Sequence, residues 1–160
     1  MFESLATFTA SLPDWLQWVG IIAISAIPFV ESYFGSAIGV LVGIPPVIAV
    51  VAAVIGNVIT MLLVVLGAHA ARTKLTASSE PKEPSRRRAR ITRLFDRYGV
   101  AGVSLLGQAF LPSQITSGMM VSFGASKNAV IAWQVVSIIL WGILFGTLAA
   151  LGVNVLGPQG

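Results

Sequence analysis

Thiols and charged residues are scarce in this chain of 160 residues, and their scarcity excludes several classes of protein. There is no cysteine, which excludes a disulfide framework and thiol chemistry. One histidine and six acidic residues leave little material for a metal site, so we expect no metal and no other cofactor. The sequence shows no nucleophile–base pair, phosphate-binding loop or dinucleotide fingerprint, so we do not expect an enzyme.

Apolar residues are abundant instead. They make up 56% of the chain, whereas charged residues make up 10%. A soluble domain of this size has too much surface to bury so many apolar side chains. The segment 47–66 is apolar apart from Gly56, Asn57 and Thr60, and about 20 such residues cross a ~30 Å hydrocarbon core as a helix. The composition therefore predicts an all-α integral membrane protein.

The basic residues are sorted along the chain. Nine of the ten Lys and Arg lie between Arg72 and Arg97, and Lys127 is the tenth. Basic loops stay on the cytoplasmic side of a membrane. We therefore expect a multi-pass protein of the inner (plasma) membrane, with the loop 72–97 in the cytoplasm and both termini outside. The net charge of +4 is explained by this loop, so we expect no nucleic-acid partner.

Three arginines in this loop predict a surface helix. Arg90, Arg93 and Arg97 occupy one face of a segment whose apolar residues recur at helical spacing between 91 and 98. Such an amphipathic helix lies on the inner leaflet, where anionic lipids attract arginine. The alternative is that the segment extends the membrane helix that follows it.

The two halves of the chain have the same order of segments. In the first repeat, 13–71, and in the second, 98–153, two short apolar pieces flank a proline break and a full-length apolar span follows. Pieces of 11–15 residues are too short to span a bilayer. We therefore expect each half to form a re-entrant helical hairpin followed by one transmembrane helix. The second half is then inverted relative to the first, as in many secondary transporters.

A plain four-helix bundle is the competing architecture, and Lys127 helps to decide between the two. In the bundle Lys127 lies outside, whereas in the hairpin arrangement all ten basic residues are cytoplasmic. The positive-inside rule favours the hairpins. The four spans of the bundle would lie near 15–34, 36–66, 98–123 and 129–153.

One acidic residue is isolated in the apolar first half. Glu31 is the only Asp, Glu, Lys or Arg between Trp15 and Ala71, and it follows the break at Pro28. An ionisable group at membrane depth is costly, so it usually faces a cavity and serves a function. We predict that Glu31 is a proton or substrate site. The alternative is an interfacial glutamate in a loop outside the bilayer core.

Polar residues near the two breaks complete the candidate site. Ser32 and Ser113 are predicted N-caps of the second limb of each hairpin, and we expect the two tips to approach each other in the membrane. Two facing helix N-termini would form an anion site. For the three amides an interhelical hydrogen bond is the alternative. The candidate proton and substrate residues are Pro28, Glu31, Ser32, Asn57, Gln108, Pro112, Ser113 and Gln114.

Two sets of motifs resemble those of a known family. The stretch from Glu31-Ser-Tyr-Phe-Gly35 through Gly39 and Gly43-Ile-Pro45 to Gly56-Asn57 is similar to the first signature of the small multidrug export protein family, part of the DedA (VTT-domain) superfamily. Its second signature resembles Tyr98-Gly99, Phe110-Leu-Pro112, Gly118 and Phe123-Gly124. The matched segments extend over most of residues 28–150.

This resemblance implies two facing re-entrant hairpins and proton-coupled handling of lipids, including recycling of polyprenyl-phosphate carriers. Glu31 matches the first membrane acid of the superfamily. The superfamily's arginines near the second hairpin have no counterpart within it here, where Gln108 and Gln114 are the polar residues, and Arg93 and Arg97 precede it.

We therefore predict a small membrane transporter or flippase that moves an anionic lipid carrier between leaflets. Its expected partners are membrane lipids, an amphipathic or lipid substrate and protons. A homo-oligomer is compatible with so short a chain. The alternatives are a proton-coupled exporter of small cationic compounds, with Glu31 as the cation site, and a non-transporting membrane scaffold that docks through its basic loop.

Overall fold

A computed structural model describes residues 1–77 and 99–156. These residues form seven helical segments and no strand, which confirms the all-α prediction for the described part of the chain. The helices are α1 Phe2–Ser11, α2 Asp14–Ser25, α3 Glu31–Leu41, α4 Pro46–Ala77, α5 over 99–107, α6 Ser113–Phe123 and α7 Lys127–Leu156.

Two of the helices are long and apolar enough to cross a membrane. They are Pro46–Leu75 within α4 and Lys127–Gly152 within α7, with mean hydropathies of 2.7 and 2.2. Only 33% and 22% of their most apolar windows are buried inside the protein. The core helix of a soluble protein would bury most of such a window. The exposed leucines, valines and isoleucines of α4 and α7 therefore support a membrane protein.

The remaining helices are short, and the breaks between them lie at the positions that the prolines predict. At about 1.5 Å per residue, α2 and α3 are each about 16–18 Å long, well short of a ~30 Å hydrocarbon core. The chain leaves helical geometry at 26–30, 42–45 and 108–112. Continuous helices over 15–34, 36–66 and 98–123, which the four-helix bundle requires, are therefore not present.

Several predicted boundaries were wrong by a few residues. Ser32 was predicted to precede the second limb as its N-cap, but α3 begins at Glu31, so Ser32 is helical. α4 continues to Ala77, so residues 72–77, the first part of the predicted loop 72–97, are helical. α1 was not predicted. Arg90, Arg93 and Arg97, with the proposed surface helix, lie outside the described residues.

The described chain divides into two compact units, and the division falls within α4 and α7. The first unit is Met1–Thr60 with Ile138–Gly160, and the second is Met61–Ser137. In the first unit α1, α2 and α3 pack on one another. Phe2 of α1 meets Phe34 of α3 edge to face, with ring centroids 4.4 Å apart. The buried core of this unit includes Ile21, Ile24, Val30, Ile38, Val40, Ala49, Ala52 and Ala53.

Glycines allow the helices of the first unit to approach closely. A Cβ on Gly56 of α4 would overlap the carbonyl group of Ile22, and one on Gly39 of α3 would lie 2.7 Å from the Cβ of Ala49. Small residues at such contacts let helix backbones approach within a membrane. Gly43, with a φ of 95°, instead lies in the break after α3 with open space beside it.

The second unit contains the second half of α4, α5, α6 and the first half of α7. A Cβ on Gly118 of α6 would lie 2.9 Å from Val64 of α4. A Cβ on Gly107 of α5 would lie 3.2 Å from the methyl group of Thr116, so α5 packs on the start of α6. Gly124 ends α6 in the left-handed conformation that a helix C-terminus favours.

Candidate functional site

The break before α3 has unusual backbone geometry. Phe29 has a φ of 72° and Glu31 a φ of 51°, and no other non-glycine residue in the described ranges has a positive φ. Each such conformation costs about 1–3 kcal/mol and persists only where the surroundings impose it. The carbonyl of Ile27 accepts hydrogen bonds from the backbone N–H groups of Val30 at 3.1 Å and Glu31 at 3.2 Å. This turn directs the chain so that residue 31 enters the first turn of α3.

Glu31 is fully enclosed by protein. Its exposed fraction is 0%, and its neighbours Val30 and Ser32 are buried as well. A carboxylate in the first turn of a helix interacts favourably with the helix dipole. No Lys or Arg occurs in the stretches 1–60 and 138–160 that make up its unit. The alternative placed Glu31 in a loop, whereas residue 31 is the first residue of α3 and is buried.

Two serines attach α3 to α7. The Ser32 hydroxyl donates a hydrogen bond of 2.7 Å to the carbonyl of Ile138, and the Ser36 hydroxyl lies 2.9 Å from the carbonyl of Gly142. The two serines are four residues apart, as are the two carbonyls, so one face of α3 lies against one face of α7. The predicted N-cap role of Ser32 is wrong: the N-cap is Val30, and no side chain caps α3.

The contact with Ile138 fixes the level of Glu31 along α7. Ile138 lies near the middle of the 26-residue segment Lys127–Gly152, one of the two candidate membrane spans. At about 1.5 Å per residue, it lies about 16 Å from the Lys127 end of that segment. Glu31 adjoins Ser32, so its backbone lies near the level of Ile138 on α7.

A predominantly apolar groove lies in the same unit. It has a volume of about 510 Å³ and is lined by the N-terminal part of α4 and the C-terminal part of α7. Gly146 contributes to its wall, and a Cβ there would lie 3.5 Å from Ser36, so the groove lies next to α3. The lining residues are Pro46, Val47, Val50, Val51, Val54, Ile55, Ile139, Ile143, Gly146 and Thr147.

The second break lies in the second unit and carries buried polar residues. Pro112 is the N-cap of α6, so the predicted capping role of Ser113 is wrong, and Ser113 is the first helical residue. The hydroxyl of Ser137 lies 2.7 Å from the Oε1 of Gln108 and 2.8 Å from the carbonyl of Ser104. This contact ties the end of α5 to α7.

The predicted site residues are divided between the two units. Pro28, Glu31, Ser32 and Asn57 lie in the first, and Gln108, Pro112, Ser113 and Gln114 lie in the second. All of them are buried except Pro28, which is exposed in its break. Sequence reasoning did not identify Ser36, Ser104, Gln134 and Ser137, although each is a polar residue in an apolar helix and is fully buried.

The described ranges contain no group of three His, Cys, Asp or Glu residues arranged to hold a metal ion. No family model matches the chain, and no match was found among curated proteins or solved structures. The resemblance to the DedA superfamily accordingly stays a prediction.

Proposed function

We propose that this protein is a small membrane transporter that moves an amphipathic lipid between leaflets and couples that movement to protonation of Glu31. The observation that carries the proposal is the position of Glu31. Its side chain is fully buried, and its neighbour Ser32 is bonded to the middle of α7, one of the two helices able to cross a bilayer.

The chemistry of a carboxyl group supports coupling to protons. In a membrane interior the charged form is costly, whereas the protonated form is an ordinary hydrogen-bonding group. Binding one proton converts Glu31 from an anion to a neutral acid, and releasing it reverses the change. A transport cycle that alternately exposes the carboxyl group to either side would thereby carry a proton with each turnover. The buried Ser32 and Ser36 are neutral and cannot replace Glu31 in this role.

The apolar groove supports a substrate with a hydrocarbon tail. Seven of its ten lining residues are Val or Ile from α4 and α7, and its volume of about 510 Å³ is within the usual range for ligand pockets, roughly 300–1,000 Å³. An acyl or polyprenyl chain would bury its surface there without leaving any polar group unpaired. A polyprenyl phosphate, the anionic lipid carrier implied by the motif resemblance, is the substrate that we propose.

Export of amphipathic cations is the second candidate, and one observation favours it. The unit that contains Glu31 has three acidic residues, Glu3, Asp14 and Glu31, and no Lys or Arg. A buried carboxylate in a unit whose charged residues are all acidic would suit a cation as well as a proton. In this alternative the substrate and the proton would compete for Glu31.

Flux measurements in liposomes test the proposal. The purified protein would be reconstituted with a fluorescent polyprenyl phosphate or with a fluorescent quaternary ammonium dye, with and without a pH gradient. We expect movement of the lipid at least ~10-fold above protein-free liposomes, reduced when a protonophore collapses the gradient. Gradient-driven movement of the dye alone would contradict lipid transport and support export of cations. If neither compound moves, both transport functions are contradicted and the non-transporting membrane scaffold is favoured.

A further inference from the structure

The second unit contains a buried amide whose hydrogen-bonding groups are all unpaired. Gln134 of α7 is 0% exposed, and neither its side-chain nitrogen nor its oxygen has a hydrogen-bond partner among residues 1–77 and 99–156. A buried polar group without a partner costs about 1–3 kcal/mol. Native proteins rarely retain such groups unless water or a ligand satisfies them.

Two hydroxyl groups of the same unit share this property. The Oγ of Ser104 on α5 and the Oγ1 of Thr116 on α6 are buried, and neither has a partner in the described ranges. A Cβ on Gly107 would lie 3.8 Å from the hydroxyl of Thr116, which places that hydroxyl beside α5. Three helices of one unit therefore each present an unpaired polar group within the protein.

Contacts of Ser137 bring Gln134 and Ser104 to the same helix interface. Ser137 bonds to the carbonyl of Ser104, so α7 lies against α5 at this level. Gln134 is three residues before Ser137 and therefore lies on the same face of α7. The face of α7 that carries Gln134 is the face that packs on α5.

We propose that the second unit holds an internal site for a hydroxyl ligand, built on the Gln134 amide with the hydroxyls of Ser104 and Thr116. The ligand is a group that both donates and accepts hydrogen bonds, and it comes either from water or from the hydroxyls of a carried molecule. A buried water typically makes about three hydrogen bonds. The amide oxygen accepts a hydrogen bond from the ligand, the amide N–H groups donate hydrogen bonds to it, and the two hydroxyls can do either.

This site goes beyond the proposed function and does not depend on Glu31. All three groups are uncharged, so they bind a neutral polar ligand without the desolvation of an ion. In a membrane protein such a site would supply hydrogen bonds to buried polar side chains, which lipid chains cannot do.

Nuclear magnetic resonance on the full chain in lipid nanodiscs tests the proposal. The chain has five glutamines, so selective ¹⁵N labelling gives five side-chain amide groups, and Gln134→Leu identifies that of Gln134. If Gln134→Leu does not fold, Gln134→Met serves the same assignment. We expect a cross-relaxation peak between the Gln134 amide protons and water in the absence of any substrate.

A second arm uses glycerol as a probe of ligand hydroxyls. A Gln134 peak to glycerol that appears as the water peak weakens would assign the site to a carried molecule, and a water peak unaffected by glycerol would assign it to water. Absence of both peaks would overturn the proposal.

The direction in which Gln134→Leu changes Tm is an independent test of the site. If a ligand is hydrogen-bonded to the amide, Gln134→Leu removes those hydrogen bonds and lowers Tm by a few degrees. If nothing satisfies it, the same change removes an unpaired polar group and raises Tm, which would contradict the site. Asn128→Leu is the matched control, because Asn128 is an exposed amide on the same helix, and we expect it to leave Tm unchanged.

Discussion

The hydroxyl of Ser32 donates a 2.7 Å hydrogen bond to the backbone carbonyl of Ile138, 106 residues away in the sequence. This bond joins the first turn of a short helix to the middle of a long apolar one. It also brings the adjacent Glu31 to that level. The proposed function rests on this relationship, because it associates a buried ionisable group with the centre of a helix long enough to span a bilayer.

The serine contacts between α3 and α7 predict a small loss of stability when they are removed. Interhelical hydrogen bonds in membrane proteins contribute on average about 0.6 kcal/mol, so Ser32→Ala and Ser36→Ala together should cost about 1 kcal/mol. The measurement is unfolding of the purified protein in mixed micelles. Ser122→Ala is the control, because the exposed Ser122 bonds only within its own helix α6. A double variant as stable as this control would contradict the contact.

Close packing at Gly56 predicts a large and position-specific effect. A side chain there would meet the backbone carbonyl of Ile22, which cannot move aside as a flexible side chain can. Overpacking of this kind costs about 1–3 kcal/mol or more, so Gly56→Leu should lower the unfolding temperature or prevent folding. Gly67→Leu is the control on the same helix, since a Cβ at Gly67 has no atom within 4 Å. Equal effects of the two substitutions would show that the packing is not as described.

The left-handed conformation of Phe29 predicts which substitutions the first break accepts. Glycine adopts a positive φ without steric cost, whereas a β-branched residue is a severe outlier there. Phe29 is 55% exposed, so its replacement loses little buried surface. We expect Phe29→Gly to be as stable as the wild type or slightly more so, and Phe29→Ile to be about 1–2 kcal/mol less stable. The reverse order in thermal unfolding would mean that this turn has a different backbone.

The prolines explain why the order of the helices was predictable from the sequence. Pro28, Pro45 and Pro112 lack an N–H donor and restrict the residue before them, so each marks a break in an apolar run. The long runs that became α4 and α7 were recognisable from length and hydropathy alone. Glu31 could be selected as a candidate because it is the only charged residue between Trp15 and Ala71.

Other features had no signal in the sequence. A positive φ at Phe29 and Glu31 is imposed by the surroundings, and neither residue type predicts it, so the start of α3 was misplaced. α1 is too short to be stable as an isolated helix. Contacts of Phe2 and Leu5 with the rest of its unit stabilise it. The pairing of Ser137 with Ser104 and Gln108 joins residues about thirty positions apart. A single sequence does not show that these helices meet.

The sorting of basic residues predicts the membrane topology. With the segment 72–97 inside, cysteines introduced by Ser79→Cys and Ser11→Cys should react from opposite sides of the membrane. The measurement is labelling of intact cells with a membrane-impermeant maleimide, before and after permeabilisation. We expect Ser11→Cys to react in intact cells and Ser79→Cys only after permeabilisation. Labelling of both from one side would contradict the inverted repeat.

Glu31→Gln is the measurement that tests the central claim most directly. The amide has nearly the same shape and no charge, and neutralising a buried carboxyl group removes a desolvation cost, so thermal stability in detergent should be unchanged or raised. Because the amide cannot bind and release a proton, flux driven by a pH gradient should fall at least ~10-fold. Glu3→Gln, at an exposed acid of α1, should transport like the wild type. A Glu31→Gln protein with the wild-type rate and pH dependence would contradict the account and make Glu31 a structural residue.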